Sequence, residues 1–367
     1  MKKAATAFVV FLVLMTAFLS LDKEESAQAM EPSVSDEQEA AANKEDEETK
    51  EGSRLPLVDT SLELSPGMKI AAVSKSTKGE FWELVKKGME EMVASVNEAY
   101  GFQKEDAITM TFEGPADESD VEGQINILDA VIAENPDVLC ISAGDMDSCQ
   151  AQLETAKENG IPVIAFDSNV SNTKMIRAFC GSDNTRVGEI GAYRLASAID
   201  ESGKVAVFSG QEKTQSAKVR TQGFLKYMEK YEDIEVVQVI YADQVEDMAA
   251  AMTGVLNIYP KLEGVFCTNA EITELYLDME KARDKDSIAV VGVDATTRQQ
   301  EAIRNGQEVG TVSQQPYVMG GSVAWTALLA ASGDEEARIQ RKTLLEPAWI
   351  DGKSLENEAY GDYIYKG

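Results

Sequence analysis

From Met68 onward, short apolar runs alternate with stretches of helical periodicity, and this alternation restricts the possible folds more than any other feature of the chain. Lys69-Ile-Ala-Ala-Val-Ser reads as a buried strand, and Trp82, Val85, Met89, Met92, Val93 and Val96 after it recur at three- and four-residue steps as one apolar helix face. Strands are expected at 107–112, 137–142, 161–166 and 176–180, with helices at 120–134 and 148–159; Gly160 and Pro162 mark a helix-to-strand joint. A second series follows: helix 184–200, strand 204–208, helix 216–231, strand 234–240, helix 246–258, strand 264–268, helix 271–283, strand 288–293, helix 297–305, strand 309–313 and helix 317–331. Strands separated by helices of this length imply right-handed βαβ units and parallel sheets covered on both faces. A chain of 367 residues exceeds what one core serves, since cores stop growing at about 250–300 residues, so the expected fold class is α/β with two doubly wound parallel-sheet lobes. A single barrel would use eight strands, but the register of the Gly-, Asp- and Asn-bearing loops fits two open sheets better.

The composition narrows the function classes. Hydrophobic residues at 44% supply enough apolar material for sizeable cores, which excludes a wholly disordered chain. The net charge of −30 repels phosphate backbones and anionic lipid, so nucleic acid is not an expected partner. Histidine is absent, which removes Ser-His-Asp and Cys-His nucleophiles, HExxH zinc sites and the commonest general base. No catalytic residue, metal ligand or cofactor is expected. Asp145 and Asp147 have the spacing of a calcium loop without its later ligands and read as capping residues.

The N-terminus carries Lys2, Lys3 and an uncharged, mostly apolar run from Ala4 to Leu21, the features of an export signal. Ala27-Gln28-Ala29 is a cleavage candidate, and both cleavage there and retention of 1–29 as a membrane anchor fit the run's length. No cysteine precedes Cys140, so a lipid anchor attached just after the run is unsupported. Residues 30–66 are expected to form an acidic disordered tether: positions 30–65 hold eleven acidic and three basic residues and no aromatic. Cys140, Cys180 and Cys267 lie in strand-like runs and read as buried small hydrophobes, while Cys140 and Cys149 are the nearest pair should any oxidise.

In open α/β sheets ligands bind beyond the carboxyl ends of strands. There the chain places Lys75-Ser-Thr-Lys78-Gly-Glu-Phe81-Trp82, Asp167-Ser168-Asn169, Asn269, Asp294 and Gln314, with Arg220 on a helix entered through a polar loop. Carboxylate, amide and guanidinium groups suit bidentate hydrogen bonding to neighbouring hydroxyls, and aromatic faces cover the C–H side of a sugar ring. The set suggests a neutral, hydroxyl-rich small molecule. Lys75 and Lys78 are equally readable as solvated, one of Phe81 and Trp82 as core, and Ser182-Asp183-Asn184 as a helix N-cap.

At these residues the chain resembles the sugar-binding type I periplasmic binding proteins, close to the ribose-binding family. The resemblance spans about residues 68–350 and rests on Lys75-Ser-Thr-Lys-Gly-Glu-Phe-Trp82, Gly160-Ile-Pro-Val-Ile-Ala-Phe-Asp167, Gly181-Ser-Asp-Asn184 with Gly188 and Gly191, Arg220-Thr-Gln-Gly-Phe224, Asn269, Val291-Gly-Val-Asp294 and Gln314-Gln-Pro-Tyr-Val-Met-Gly320. It implies a three-strand hinge, with 67–182 plus 315–343 as one lobe and 183–314 plus 344–367 as the other. It also implies Phe81 and Trp82 as stacking aromatics, Asp167 and Asp294 as hydroxyl acceptors, Arg220 as donor, and Asn269 and Gln314 as amides. Ser168, Gln244 and Val293 depart from the family pattern, which points to a ligand other than ribose, larger or more polar.

The resulting expectation is an exported, monomeric, non-enzymatic protein that captures a small-molecule carbohydrate and delivers it to an ABC transporter permease. A membrane-anchored sensory protein with a receptor or kinase partner is the alternative. An enzyme using Asp167 and Asp294 as an acid/base pair is a further class. The effector-binding part of a repressor conflicts with the apolar segment and acidic stretch that occupy the place of a helix-turn-helix.

Overall fold

The computed structural model describes residues 55–281, 288–333 and 339–366; the apolar run at 4–21 and most of the expected tether lie outside them. Two six-stranded sheets organise the described chain. The first contains β1 (Lys69–Val73), β2 (Thr109–Glu113), β3 (Val138–Ile141), β4 (Val163–Phe166), β5 (Ala178–Ser182) and β11 (Lys342–Leu345), in the order β11-β5-β4-β3-β1-β2. The second contains β6 (Gly203–Ser209), β7 (Ile234–Tyr241), β8 (Leu262–Cys267), β9 (Ala289–Val293), β10 (Gly310–Ser313) and β12 (Ala348–Ile350), in the order β12-β10-β9-β8-β6-β7. All pairings are parallel except that of β10 with β12. Apart from the added sixth strand, both sheets repeat the order 2-1-3-4-5, a doubly wound arrangement whose ligand crevice lies at the carboxyl ends of the strands.

Helices cover both faces of each sheet. On the first, α1 (Glu80–Tyr100) and α9 (Pro316–Ala331) pack together on one face, and α2 (Val121–Ala133) and α3 (Gln150–Glu158) cover the other. On the second, α4 (Asn184–Ala198) pairs with α5 (Gln215–Met228), opposite α6 (Met248–Ile258), α7 (Ala270–Lys281) and α8 (Thr297–Arg304). The strands β1, β3, β4, β5 and β8 are almost wholly buried, as expected of parallel strands covered on both sides.

The chain passes between the sheets three times: at Asp183 between β5 and α4, at Gln314-Gln315 between β10 and α9, and at Glu346-Pro347 between β11 and β12. The third passage therefore follows Leu345 instead of falling at 343/344, because the ladder with β5 holds Lys342 to Leu345 in the first sheet. The expected tether also needs correction at its end, because residues 55–66 pack on the first lobe. Leu62 is buried, Leu55 and Leu64 join the core beneath α1 and α9, and the Tyr100 hydroxyl reaches the carbonyls of Asp59 (3.0 Å) and Leu62 (2.7 Å). All four cysteines are buried and free, so no pair is oxidised. Burial pushes the Cys149 thiol up to about 11.

Candidate functional site

A cavity of about 380 Å³ opens between the lobes at the carboxyl ends of the strands. Phe81, Trp82, Asp167, Arg220, Asn269, Asp294 and Gln314 all line it. Asp167 directly follows β4 and Asp294 directly follows β9, the corresponding strands of the two sheets. Each has a left-handed backbone, φ 51° and φ 81°, a conformation Asp tolerates better than most residues and one that recurs where function demands it. Their amides bond the adjacent strands in the same way, Asp167 to the Cys180 carbonyl and Asp294 to the Val312 carbonyl, both at 3.0 Å.

On the second lobe, α5 carries Arg220 into the cavity wall at 3% exposure. Its Nε donates to Asn184 Oδ1 (2.8 Å), Nη1 to the Thr268 carbonyl (2.9 Å) and Nη2 to Gln314 Oε1 (2.8 Å). A guanidinium has five N–H groups in a rigid fork, so two remain for a ligand once these three bonds fix the plane. Gln314, on the second passage, accepts from Ser182 Oγ (2.8 Å) on the first and donates through Nε2 to Asp294 Oδ1 (2.7 Å). Residues joining the lobes thus also build the cavity wall. Asn269 Oδ1 accepts from the Ile272 amide (3.2 Å), which turns its amide nitrogen toward Gly210 at the cavity edge.

The first lobe supplies a charged group that also reads as solvated in sequence. Lys75 is buried, 3.1 Å from Asp167 Oδ2 and 3.6 Å from Glu118 Oε2, and its Nζ lies 5.6 Å from the Trp82 ring centroid. Burial opposes its charge, but the Asp167 and Glu118 carboxylates outweigh burial and hold its pKa above the ordinary lysine value. Ser142 Oγ adds a 2.9 Å bond to the same Asp167 oxygen. Trp82 donates from Nε1 to Glu118 (3.1 Å) and packs edge-on against Phe166, so it is largely core; Phe81, only half-buried, meets it at 5.0 Å in a T-shape. Both rings line the cavity, and Trp82 also belongs to the first-lobe core.

The lobes touch across the cavity. Thr214 Oγ1 donates to the Gly144 carbonyl (2.8 Å), the Met146 amide to the Lys213 carbonyl (3.0 Å), Lys75 Nζ to Ser216 Oγ (3.4 Å) and the Thr297 amide to Glu80 Oε2 (3.0 Å). Asp147 donates its amide to Asp145 Oδ1 (2.9 Å), a local turn, and no cluster suited to a metal exists among the described residues. Of the positions departing from the family pattern, Val293 is core, Ser168 Oγ accepts from the Ser216 amide (3.3 Å), and Gln244 bonds Glu212 outside the cavity.

Sequence reasoning missed Lys75, Glu118 and Asn184. Asn184 stands beside the true cap: Asp183 Oδ1 accepts from the amides of Thr185 and Arg186, both at 3.1 Å, while Ser182 bonds Gln314. The cap assignment for Ser182 and Asn184 is thereby corrected, since only one side chain of the three can meet the helix amides. Asp183→Ala is expected to lower stability by about 0.5–2 kcal/mol in a thermal melt, whereas Ser182→Ala removes no cap and leaves Gln314 held by Arg220 and Asp294.

Residues 70–335 match the family described as "Periplasmic binding protein domain". The D-ribose/D-allose-binding protein of Pseudomonas aeruginosa is 26% identical over 269 residues, which are 71% of this chain and 81% of that protein. The ribose import binding protein of Bacillus subtilis is 25% identical over 203 residues, 55% of this chain and 66% of the relative's length. An ABC transporter solute-binding protein from Agrobacterium vitis, solved with α-D-tagatopyranose, superposes with a TM-score of 0.74 at 26% identity, covering 82% of this chain and all of that one (100%). A carbohydrate transporter solute-binding protein from Agrobacterium radiobacter, solved with D-arabinose, gives 0.73 at 25% identity over 81% and 98%.

Proposed function

The chain belongs to the periplasmic binding protein domain family, and from that premise we propose that it is an exported binding protein that closes over a sugar or sugar-like polyol and delivers it to the permease of an ABC importer. The observation that carries the reading is the convergence of planar polar groups from both lobes and from the joining segments on one cavity. Arg220 donates to ligand hydroxyls, Asp167 and Asp294 accept from them, Asn269 and Gln314 supply amides, and Phe81 and Trp82 cover the apolar side of the ring. Such contacts form together only when the lobes meet, so ligand binding and closure are one event.

The relatives support a carbohydrate ligand and a transporter partner, since their names carry ribose, allose, tagatose and arabinose and an import or transporter role. Export rests on Lys2, Lys3 and the 4–21 run; among the described residues no helix is long and apolar enough to cross a membrane. Turnover is not part of the reading: the two Asp carboxylates are committed to Lys75, Ser142, Gln314 and a backbone amide, an arrangement for binding.

The test is calorimetric titration of the chain from residue 30 onward against pentoses, hexoses, inositols and polyols, with scattering on the same samples. The expected result is saturable binding of at least one sugar, recovered chemically unchanged, with a fall in radius of gyration. No binding across the panel, or conversion of the sugar, would sink the reading.

A further inference from the structure

The C-terminal segment packs behind the cavity's second-lobe wall, where it reaches Asp294, a lining residue. Residues 354–366 lie beyond the matched family range of 70–335 and form two short 3-10 turns, Ser354–Glu356 and Glu358–Tyr363, followed by Ile364 to Lys366. This tail lies against the segments that join the lobes. The Tyr363 carbonyl accepts from Ser313 Oγ (2.5 Å), and the Tyr363 hydroxyl accepts from Gln315 Nε2 (2.9 Å) and donates to the Glu346 carbonyl (3.3 Å). Two residues later Tyr365, 1% exposed, donates its hydroxyl to Asp294 Oδ1 at 2.8 Å. Its backbone is held at both ends, the amide by the Ala295 carbonyl (3.1 Å) and the carbonyl by Gln300 Nε2 (2.7 Å). Its ring lies 6.4 Å from that of Phe81 on the first lobe.

Asp294 is consequently gripped by three donors: Tyr365 and Gln314 on Oδ1, and the Ala270 amide on Oδ2 at 3.0 Å. Burial, then the adjacent Asp294 carboxylate, pushes the Tyr365 phenol well above its ordinary value, so the hydroxyl stays protonated and donates. Gln314 sits on the second passage, whereas Tyr365 is anchored to the same lobe as Asp294 through Ala295 and Gln300. Of the two side-chain donors, then, the tyrosine is the one whose backbone is fixed beside the carboxylate.

We propose that Tyr365 is a positioning residue of the ligand cleft: its hydroxyl fixes the rotamer of the Asp294 carboxylate so that this group meets a sugar hydroxyl, and the C-terminal tail ties the carboxylate to the joining segments. The ligand half of this statement rests on the sugar-binding reading; the placing of Asp294 does not.

Tyr365→Phe keeps the ring and removes only the donor. Two measurements on it decide the matter: titration with the sugar that binds best in the panel, and amide hydrogen exchange by NMR on the ligand-free protein. Affinity is expected to fall about tenfold, the usual worth of a hydrogen bond to a charged group. The Ala270 amide should exchange at least about fivefold faster, because its acceptor is freed to rotate, while the Tyr365 amide keeps its protection. Unchanged Ala270 exchange overturns the proposal whatever the affinity does. Loss of protection at both amides also overturns it, since the tyrosine would then be holding the tail down instead of aiming Asp294. If no sugar binds the wild-type chain, the binding reading fails separately, and the exchange experiment still decides the placing of the carboxylate.

Discussion

Arg220→Ala is expected to weaken sugar binding by roughly tenfold to several hundredfold, read by calorimetric titration against the wild type. The side chain is buried and its three protein bonds go to Asn184, Thr268 and Gln314, each through a different nitrogen. Truncation removes the two N–H groups left for the ligand and takes the guanidinium donor from Asn184 Oδ1 and the Thr268 carbonyl, while Gln314 Oε1 keeps its bond from Ser182. An unsatisfied buried partner costs about 1–3 kcal/mol, more where a charge is involved, and 1.4 kcal/mol is tenfold in affinity. Arg220→Lys should recover little, because an ammonium on a flexible stem cannot span three acceptors set in a plane. Affinity equal to wild type in Arg220→Ala would remove the cavity as the binding site.

Asp167→Asn probes the other lobe by a different route. It keeps the shape but removes the charge that pairs with Lys75, leaving a buried ammonium facing only Glu118, itself about a quarter exposed. Its effect should therefore appear on closure as well as on affinity.

The fold was legible where a physical period produces it. Buried parallel strands make continuous apolar runs and their covering helices make one-sided stripes, so β1 through β10 and the intervening helices stand where the pattern placed them, within a few residues. β11 and β12 were not read, because Lys342-Thr-Leu-Leu345 is a half-buried edge strand with only two apolar residues in place of a continuous apolar run, and Ala348-Trp-Ile350 is only three residues long. They are strands only because β5 and β10 offer them an edge. Residues 55–66 were hidden by averaging: the acidic count of the preceding stretch dominates, while Leu55, Val58, Leu62 and Leu64 carry the docking. In the cavity, residues at strand ends could be read because topology alone sends them there. Lys75 could not, since a lysine in a polar loop has the same pattern whether solvated or buried, and only Asp167 and Glu118, 92 and 43 residues later in the chain, decide it. The same holds for Tyr365, whose partner Asp294 is 71 residues away.

Gly188→Ala should produce the largest loss of stability, with a loss of affinity alongside it. In α4 this glycine lies against the backbone of α5: a Cβ there would collide with the Arg220 carbonyl and stand 2.6 Å from the Phe224 amide nitrogen. The contact is reciprocal, since a Cβ on Gly223 would come 2.5 Å from the Thr185 carbonyl. The first lobe repeats the device, with Gly88 of α1 against the Tyr317 carbonyl and Gly320 of α9 against the Val85 carbonyl. A side chain struck by a new methyl can rotate; a helix backbone must move as a whole. Overpacking costs about 1–3 kcal/mol and occasionally more, and the backbone obstacle places Gly188→Ala near the upper figure. With about 2–4 °C of melting temperature per kcal/mol for a domain of this size, the melt should fall by roughly 6–12 °C. Because the residue struck is Arg220 itself, separation of the two helices also draws the guanidinium back from the cavity, and titration should show weakened binding even where the protein remains folded. Gly254→Ala is the control: in α6, with nothing within 4 Å of a Cβ, it should leave affinity alone and stabilise by about 0.5–1 kcal/mol through helix propensity. If Gly188→Ala melts and binds as Gly254→Ala does, the two helices are not in backbone contact and the placing of Arg220 by that contact is wrong.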